Sequence, residues 1–405
     1  MPDSVGYTSG GTPVPSVPSI TQNFDYARVI ELPYYILYKL GQDPDSMLSD
    51  DETAGKLGTL VSAYNTVRVD SAEEYITTNN TSFTHIGTIS KNNFVPSCVL
   101  ANSLTELVTS MRYENGSNLS SVNYADGYVG FIDDEIVGIG EIDPYYKTVR
   151  ISRGLFDTVP AKHSAGAVLY IASLANDEIC NSDEFTGAEN YMIKIAVVSG
   201  GTMANLVATN THNIVFDARC YRPYPPANVQ INSLYFPNMA SIDWYNQGTC
   251  TWKNRNRLTQ IADDYLLWTD DTNVNVESGT VYKCAVSNKS KSIYSVSSFN
   301  PTDNSYAIII PCDIEGFARV EIWSERNDVA SSQKIVIEGE MQDLIMVPSF
   351  DLTTGNLTMT MNNRNPTTFE IVNGELEVTC PADYHTVYSR GTGNEANYMI
   401  RTYEV

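Results

Sequence analysis

At 405 residues the chain is too long for one ordinary core, and domains of roughly 100–150 residues predict about two to four of them. With 42% hydrophobic and 18% charged residues it is globular rather than disordered. A net charge of −23, from 25 Lys+Arg against 48 Asp+Glu, repels phosphate backbones and anionic membranes and excludes stable nucleic-acid binding.

Residues 1–21, ending in TPVPSVPSIT, are rich in Pro, Gly, Ser and Thr and read as an extended arm, suited to packing on a neighbouring subunit or to fraying as a terminus. The opening MPDSVGYTSGG lacks a basic region and an apolar core, so no secretory signal is expected. In FDYARVIELPYYILYKLGQ a strand precedes Pro33, and a short helix follows that closes at Gly41. An acidic loop over Asp43–Thr53 leads to two alternating runs, KLGTLVSAYN and VRVDSAEEY, read as strands of a hairpin or sheet edge. Asn102–Met111 (NSLTELVTSM) is predicted as a helix capped by Asn102 or Ser103.

Phe131–Ile171 has the grammar of stacked hairpins. Apolar alternation in FIDDEIVGIG, a turn at Asp143-Pro144, a second alternating run in KTVRISRG and a closing AVLYI together predict a compact β module. YMIKIAVV (191–198) and HNIVFDAR (212–219) add strands, so 22–221 reads as one mostly β domain with short helices.

Residues 222–340 carry a sandwich pattern, with RPYPPANVQI as an edge strand, TCTW as a core strand with Trp252 facing in, and VYKCAV entered through Gly279-Thr280. Tyr282 takes the place of a corner tyrosine. ARVEIWSER and QKIVIEGEM complete the layer, while YAIIIPCDIEGF reads as material beyond seven strands. Residues 341–405 hold a repeat, FDLTTGNLTM and FEIVNGELEV at a spacing of 19, each a hairpin turning at Thr354-Gly355 or Asn373-Gly374. Two hairpins bury little, so they are expected to pack on the sandwich or on another chain.

The run RGLFDTVPAKH brings Arg153, Asp157, Lys162 and His163 within eleven residues, yet no Ser or Cys nearby has a nucleophile's setting. A polar loop braced by an Arg153–Asp157 pair and the rigid Val159-Pro160 bond is the reading adopted. Asp133-Asp134-Glu135 and Asp50-Asp51-Glu52 lack calcium-loop spacing and read as solvated charge. In WKNRNR an aromatic beside arginine could stack on a sugar or base, which makes Trp252, Lys253, Arg255 and Arg257 a possible ligand or interface set. The plainer reading puts Trp252 in the core and the cations at a strand end. Seven dispersed Cys without C-x-x-C, and four His without ligand spacing, predict buried free thiols in a reducing compartment and no metal. No P-loop, dinucleotide fingerprint or zinc-hydrolase motif occurs, so neither an enzyme nor a cofactor is expected. No apolar run approaches the roughly 18 residues of a membrane-spanning helix. The 26 Tyr suit half-exposed β faces and subunit interfaces alike.

The order D-x-E-I-x-x-I, then R-G-L-x-D-T-V-P-A-x-H-x-A-G-A-x-L in 131–170, followed by R-P-Y-P-P-x-N-V-x-I-N from Arg222, resembles the distal part of tail-tip and tail-hub proteins of tailed bacteriophages. Weaker matches are V-I-E-x-P-Y-Y-x-L at Val29–Leu37, the aromatic-then-basic WKNRNR, and the closing G-N-L … N-G-E-L. The resemblance implies a β-barrel-like hub module, a fibronectin-type-III-like sandwich from 222, and a C-terminal hairpin module. It also implies a virion protein assembled in the host cytoplasm as a trimer or other ring, with tail tube, hub and fibre proteins as partners. An acidic lumen that lets DNA slide past fits such a place. Relatives carry a long N-terminal hub-building region before these modules, so a separate gene product is expected to supply it. The alternative is a receptor-binding tail protein in which the sandwich and the hairpins hold a surface glycan.

Overall fold

The computed structural model describes residues 23–340 apart from 25, 43, 45–53, 63–68, 123–126, 175–178, 188, 240–247, 261–264, 288–289, 292, 304 and 309–316; beyond 340 it describes only the backbone of strands within 346–404. The 1–21 arm, the acidic loop with Asp50-Asp51-Glu52, and the turns at Thr354-Gly355 and Asn373-Gly374 lie outside the described residues. The protein is mainly β and multidomain.

Four strands open the chain: β1 (Tyr26–Glu31), β2 (Gly55–Ser62), β3 (Ser71–Thr77) and β4 (Thr84–Ser90). Pro33 ends β1 and starts α1 (Tyr34–Lys39), because its fixed φ suits a first helical turn, and Gly41 at φ +75° closes it. The next six strands, β5 (Ser97–Leu100), β6 (Ser110–Ser117), β7 (Tyr128–Ile132), β8 (Glu135–Asp143), β9 (Thr148–Ser152) and β10 (Val168–Ser173), close into a barrel in the order β10-β5-β6-β9-β8-β7. The stacked-hairpin expectation for 131–171 is met by β7 to β10.

The chain then returns to the first layer. β11 (Cys180–Phe185) pairs with β2, while β12 (Asn190–Ser199) joins β3, β13 (Thr202–Met203) and β14 (Thr211–Val215). The barrel is therefore an insertion between β4 and β11 of a two-sheet unit. Period-2 alternation sorts the barrel residues. Ile132, Val137, Leu169 and Ile171 fill the interior, while Phe131, Ile136, Tyr170 and Ala172 face outward onto Tyr34–Leu37 of α1.

The sandwich has β15 (Ala227–Ile231), β16 (Gly248–Lys253), β17 (Thr280–Ser287), β18 (Ile293–Phe299), β19 (Ser305–Ile308), β20 (Phe317–Arg326), β21 (Val329–Ala330) and β22 (Ile335–Glu340). One sheet runs β15-β16-β19. The other runs β18-β17-β20, with β21 and β22 both on the far side of β20. Leaving out the two-residue β21, seven strands divide three and four, as in a fibronectin-type-III-like sandwich. Its core holds Trp252, Tyr282, Phe299, Val320 and Ile337. Cys98, Cys250 and Cys284 are buried free thiols, and Cys220 is buried as well.

Beyond it, β23 (Met346–Asp351) pairs with β24 (Asn356–Met361), β25 (Thr368–Val372) with β26 (Glu375–Thr379), and β27 (Tyr384–Arg390) with β28 (Tyr398–Glu404). The two expected repeat hairpins are present as strand pairs, and a third follows them.

Three expectations are corrected. Residues 102–111 form no helix: Leu104 bridges His163, and β6 starts at Ser110. The Thr105 and Val108 carbonyls, which a helix would use internally, accept instead from Arg153 Nη1 at 2.6 and 3.1 Å. YAI is not surplus, since Ser305–Ile308 is the third strand of the smaller sheet, while 309–316 of that segment lies outside the described residues. Tyr282 sits on β17, the third sandwich strand, whereas a corner tyrosine stands near the start of the sixth, and its hydroxyl donates to Asn254 Oδ1 at 2.9 Å.

Candidate functional site: a buried ionic junction

The run 153–163 leaves β9, crosses the barrel wall and ends at the bridge to Leu104. Gly154 allows the crossing, at φ +59° with the Pro160 ring so close that a Cβ would lie 2.5 Å from Pro160 Cδ. Arg153 does not pair with Asp157. Its Nε and Nη2 donate to Glu135 Oε1 and Oε2 at 2.8 and 2.7 Å, and Nη2 also donates to the Ala161 carbonyl at 2.5 Å. With the two bonds to Thr105 and Val108, all five guanidinium N–H groups are used.

Glu135 is the hub and not solvated charge: it is buried on the same strand face as Val137, inside the barrel wall. Its carboxylate also accepts from the backbone N–H of Gly154 and Ala161 at 2.8 and 2.9 Å. His163 Nε2 lies 2.8 Å from Glu135 Oε2 and Nδ1 lies 2.7 Å from Asp133 Oδ2. Ionised carboxylates only accept, so the charged imidazolium, with both ring nitrogens donating, is the form this geometry favours. Burial alone would lower the His163 pKa, but the bonds to Glu135 and Asp133 outweigh it and raise it. Burial would likewise raise Glu135, but hydrogen bonds from Arg153 and His163 hold it below its ordinary value. Two cations face the buried Glu135 and the exposed Asp133, which lets Glu135, Arg153 and His163 stay buried.

Asp157 pairs elsewhere. Arg219 Nε and Nη2 donate to it at 2.6 and 3.1 Å, fastening the loop to the end of the two-sheet unit. Glu31 accepts from the Asp217 and Arg219 backbone N–H groups at 3.0 and 2.8 Å, and burial pushes its carboxyl up to about 7 against those bonds. Val159 enters the sandwich core, and its N–H donates to Gln333 Oε1 at 2.8 Å; Gln333 Nε2 donates in turn to the Asp134 carbonyl. Lys162 stays exposed, 3.6 Å from Glu106.

The WKNRNR residues do not form a surface set. Trp252 fills the sandwich core, and Lys253 alone reaches solvent, 2.9 Å from Asp271. Arg255 is buried and donates to the carbonyls of Asn254, Leu267, Asp270 and Thr272, which shapes the 254–279 insertion. Arg257 is buried at the junction, over the Tyr34 ring at 4.7 Å, with Nε 3.2 Å from Glu277 Oε1 and Nη1 donating to the Cys220 carbonyl at 3.1 Å. Arg326 pairs with the other Glu277 oxygen and donates to the Tyr221 carbonyl at 2.6 Å. From the insertion, Tyr265 packs on Tyr35 and Phe156.

Of the residues singled out in the sequence, Arg153, His163, Asp157 and Pro160 do meet in one loop, while Arg257 joins a second cluster of the same junction. Glu135, Arg219, Glu277, Arg326 and Gln333 are the members that sequence reasoning missed. Only Glu135 left a signal, being in phase with inward Val137 and Ile139. Among the described residues no group of three or more His, Cys, Asp or Glu is placed to hold a metal ion, and no helix is long and apolar enough to cross a membrane. The arrangement holds modules together.

No family model matches the chain, and no curated protein matches it. Among solved structures it is similar to the FN1–FN3 domains of chicken CNTN1, at 10% identity over 79% of this chain and 100% of that one, with a TM-score of 0.18. A likeness that low carries no argument, so the sandwich assignment rests on strand order alone.

Proposed function

We propose that the chain is a structural component of a bacteriophage tail tip or hub, built around the tail axis and linking the tail tube to fibres or host-contact proteins. The reading is carried by the resemblance of 131–170 and 222–231 to tail-hub proteins, and its own chemistry is consistent with a building block. Within 153–163, Arg153 and His163 brace the barrel through Glu135 and Asp133, and Asp157 fastens it to Arg219 of the two-sheet unit. A net charge of −23 suits a wall past which DNA slides. The test is immunogold labelling of virions with an antibody to this chain. Label at the tail end is expected, and unlabelled virions carrying no such chain by mass spectrometry would overturn the reading.

One observation favours the receptor-binding alternative. The β8–β9 turn presents Tyr145 and Tyr146 at 84% and 66% exposure, their rings edge to face at 4.8 Å. Asp143 Oδ1 accepts from both backbone N–H groups, at 2.8 and 3.0 Å, which fixes the tip before any partner arrives. Rigid exposed aromatics of this kind can stack on sugar rings. Binding of the isolated chain to host cells or lipopolysaccharide, lost in Tyr145→Ala/Tyr146→Ala, would support that role; equal binding by the variant would remove it.

A further inference from the structure

Sheet edges invite pairing with other chains, and proteins normally blunt them with charge, proline, bulges or brevity. The sandwich does so at three of its four edges. β15 follows Pro225-Pro226 and has a register shift between Ala227 and Gln230. β19 is four residues long, and β22 carries Glu338 and Glu340 after Lys334. The fourth edge, β18, reads IYSVSSF: seven residues with no charge and no proline, and among the described residues only β17 pairs with it. Its one irregularity is a register shift at the Ile293 end.

The outer face of the same sheet changes character toward that edge. Over β20 and β22 it is laced with ion pairs, Arg319–Glu321 at 2.8 Å, Lys334–Glu321 at 3.3 Å and Arg319–Glu338, and Lys283–Glu325 continues the lattice at 3.4 Å. At β18 it ends in Val296 and Ile293, 54% and 62% exposed.

We propose that β18 is an interface strand that pairs antiparallel with β18 of a second copy of this chain, joining two four-stranded layers into one sheet. Charge selects this occupant. Two copies at −23 each repel, so self-association needs a surface from which carboxylates are missing, and β18 provides one whose free edge pairs with no other strand among the described residues. The strand is also self-complementary. Centred on Val296, the antiparallel register sets Val296 against Val296, Ser297 against Ser295, Ser298 against Tyr294 and Phe299 against Ile293, with no like charges across. Such a twofold contact is isologous, the commonest kind between identical chains. It does not rest on the tail reading and stands or falls separately from it.

The test is native mass spectrometry of the full chain with a charge swap at the centre. Wild type is expected to give a dimer or an even-numbered assembly. Val296→Lys and Val296→Glu each set like charges directly opposite and are expected to give monomer, with circular dichroism and thermal midpoints close to wild type because the position is exposed. A one-to-one mixture of the two variants is expected to restore a heterodimer. A monomeric wild type, an assembly that Val296→Lys leaves intact, or a mixture that stays monomeric would each overturn the proposal. Hydrogen exchange of wild type gives a check free of mutation: the β18 amides should gain protection as concentration rises, and concentration-independent exchange counts against pairing.

Discussion

Glu135 takes the Nε–Nη2 edge of the Arg153 guanidinium, Nε on one oxygen and Nη2 on the other, across 18 residues of sequence and inside the barrel wall. Both side chains are almost fully buried, so neither charge has water to fall back on. Removing one partner is therefore costlier than the pair is worth. Glu135→Gln keeps the shape but strands Arg153 without a carboxylate and leaves His163 with Asp133 alone, and a loss of about 3–5 kcal/mol is expected. Denaturant titration followed by barrel-specific hydrogen exchange measures it, and a loss below about 1 kcal/mol would mean that the network relaxes to water.

The same network predicts how stability moves with pH. His163 has a folded pKa above its ordinary value, so its contribution is complete below the unfolded value of about 6.5 and is lost as pH rises through the folded one. Glu31, raised to about 7 by burial, acts in the same direction between its unfolded value and about 7. Glu135 acts oppositely. Its pKa is lowered, so its contribution is present above the unfolded value and fades as pH falls through the folded one. Unfolding midpoints should thus fall on both sides of a mildly acidic maximum. In His163→Gln the alkaline decline should shrink, and ring nitrogen NMR should show a doubly protonated histidine signal that disappears in that variant.

Much of this was legible locally and little of it at a distance. Alternation in FIDDEIVGIG, KTVRISRG and AVLYI places β7 to β10, because each strand has one face in the barrel and β7, β8 and β10 turn the other onto α1. Alternation cannot say that β6 closes on β9 or β5 on β10, since closure is set by register between strands far apart in sequence. The ionic partners failed for the same reason. Asp157 is the nearest opposite charge to Arg153 in the loop, yet the chain crosses the barrel wall between them, so Arg153 turns inward to Glu135 and Asp157 outward to Arg219. The helix expected at 102–111 had a plausible cap and lost its carbonyls to Arg153, a competitor invisible in that segment. WKNRNR misled through charge: long cations read as surface, but Arg255 and Arg257 find carbonyls, a carboxylate and a tyrosine face to satisfy them when buried.

Gly154 separates backbone strain from crowding. Gly154→Ala must hold φ +59° and push its Cβ into Pro160, whose ring cannot give way without moving the loop. Gly166→Ala also starts from positive φ, at +91°, but meets nothing within 4 Å. The second is expected to cost on the order of 1–2 kcal/mol from strain alone. The first should cost visibly more and lower soluble yield. Equal thermal midpoints for the two variants would show that the Pro160 contact is slack.

Glu277 joins Arg257 and Arg326, and through them the carbonyls of Cys220 and Tyr221, so one carboxylate holds the sandwich against the last turn of the preceding domain. Glu277→Gln leaves two buried arginines with a neutral partner and is expected to weaken docking more than either folding unit. Calorimetry should then resolve two transitions where wild type shows them merged, and limited proteolysis should cut first near 217–226. Arg257→Lys is expected to behave like a loss and not a conservative change, because an ammonium cannot reach Glu277 and the Cys220 carbonyl at once while a planar cation lies over the Tyr34 ring. If Arg257→Lys kept the merged transition while Glu277→Gln split it, the Tyr34 stacking would be shown to be incidental and the carboxylate alone to couple the domains.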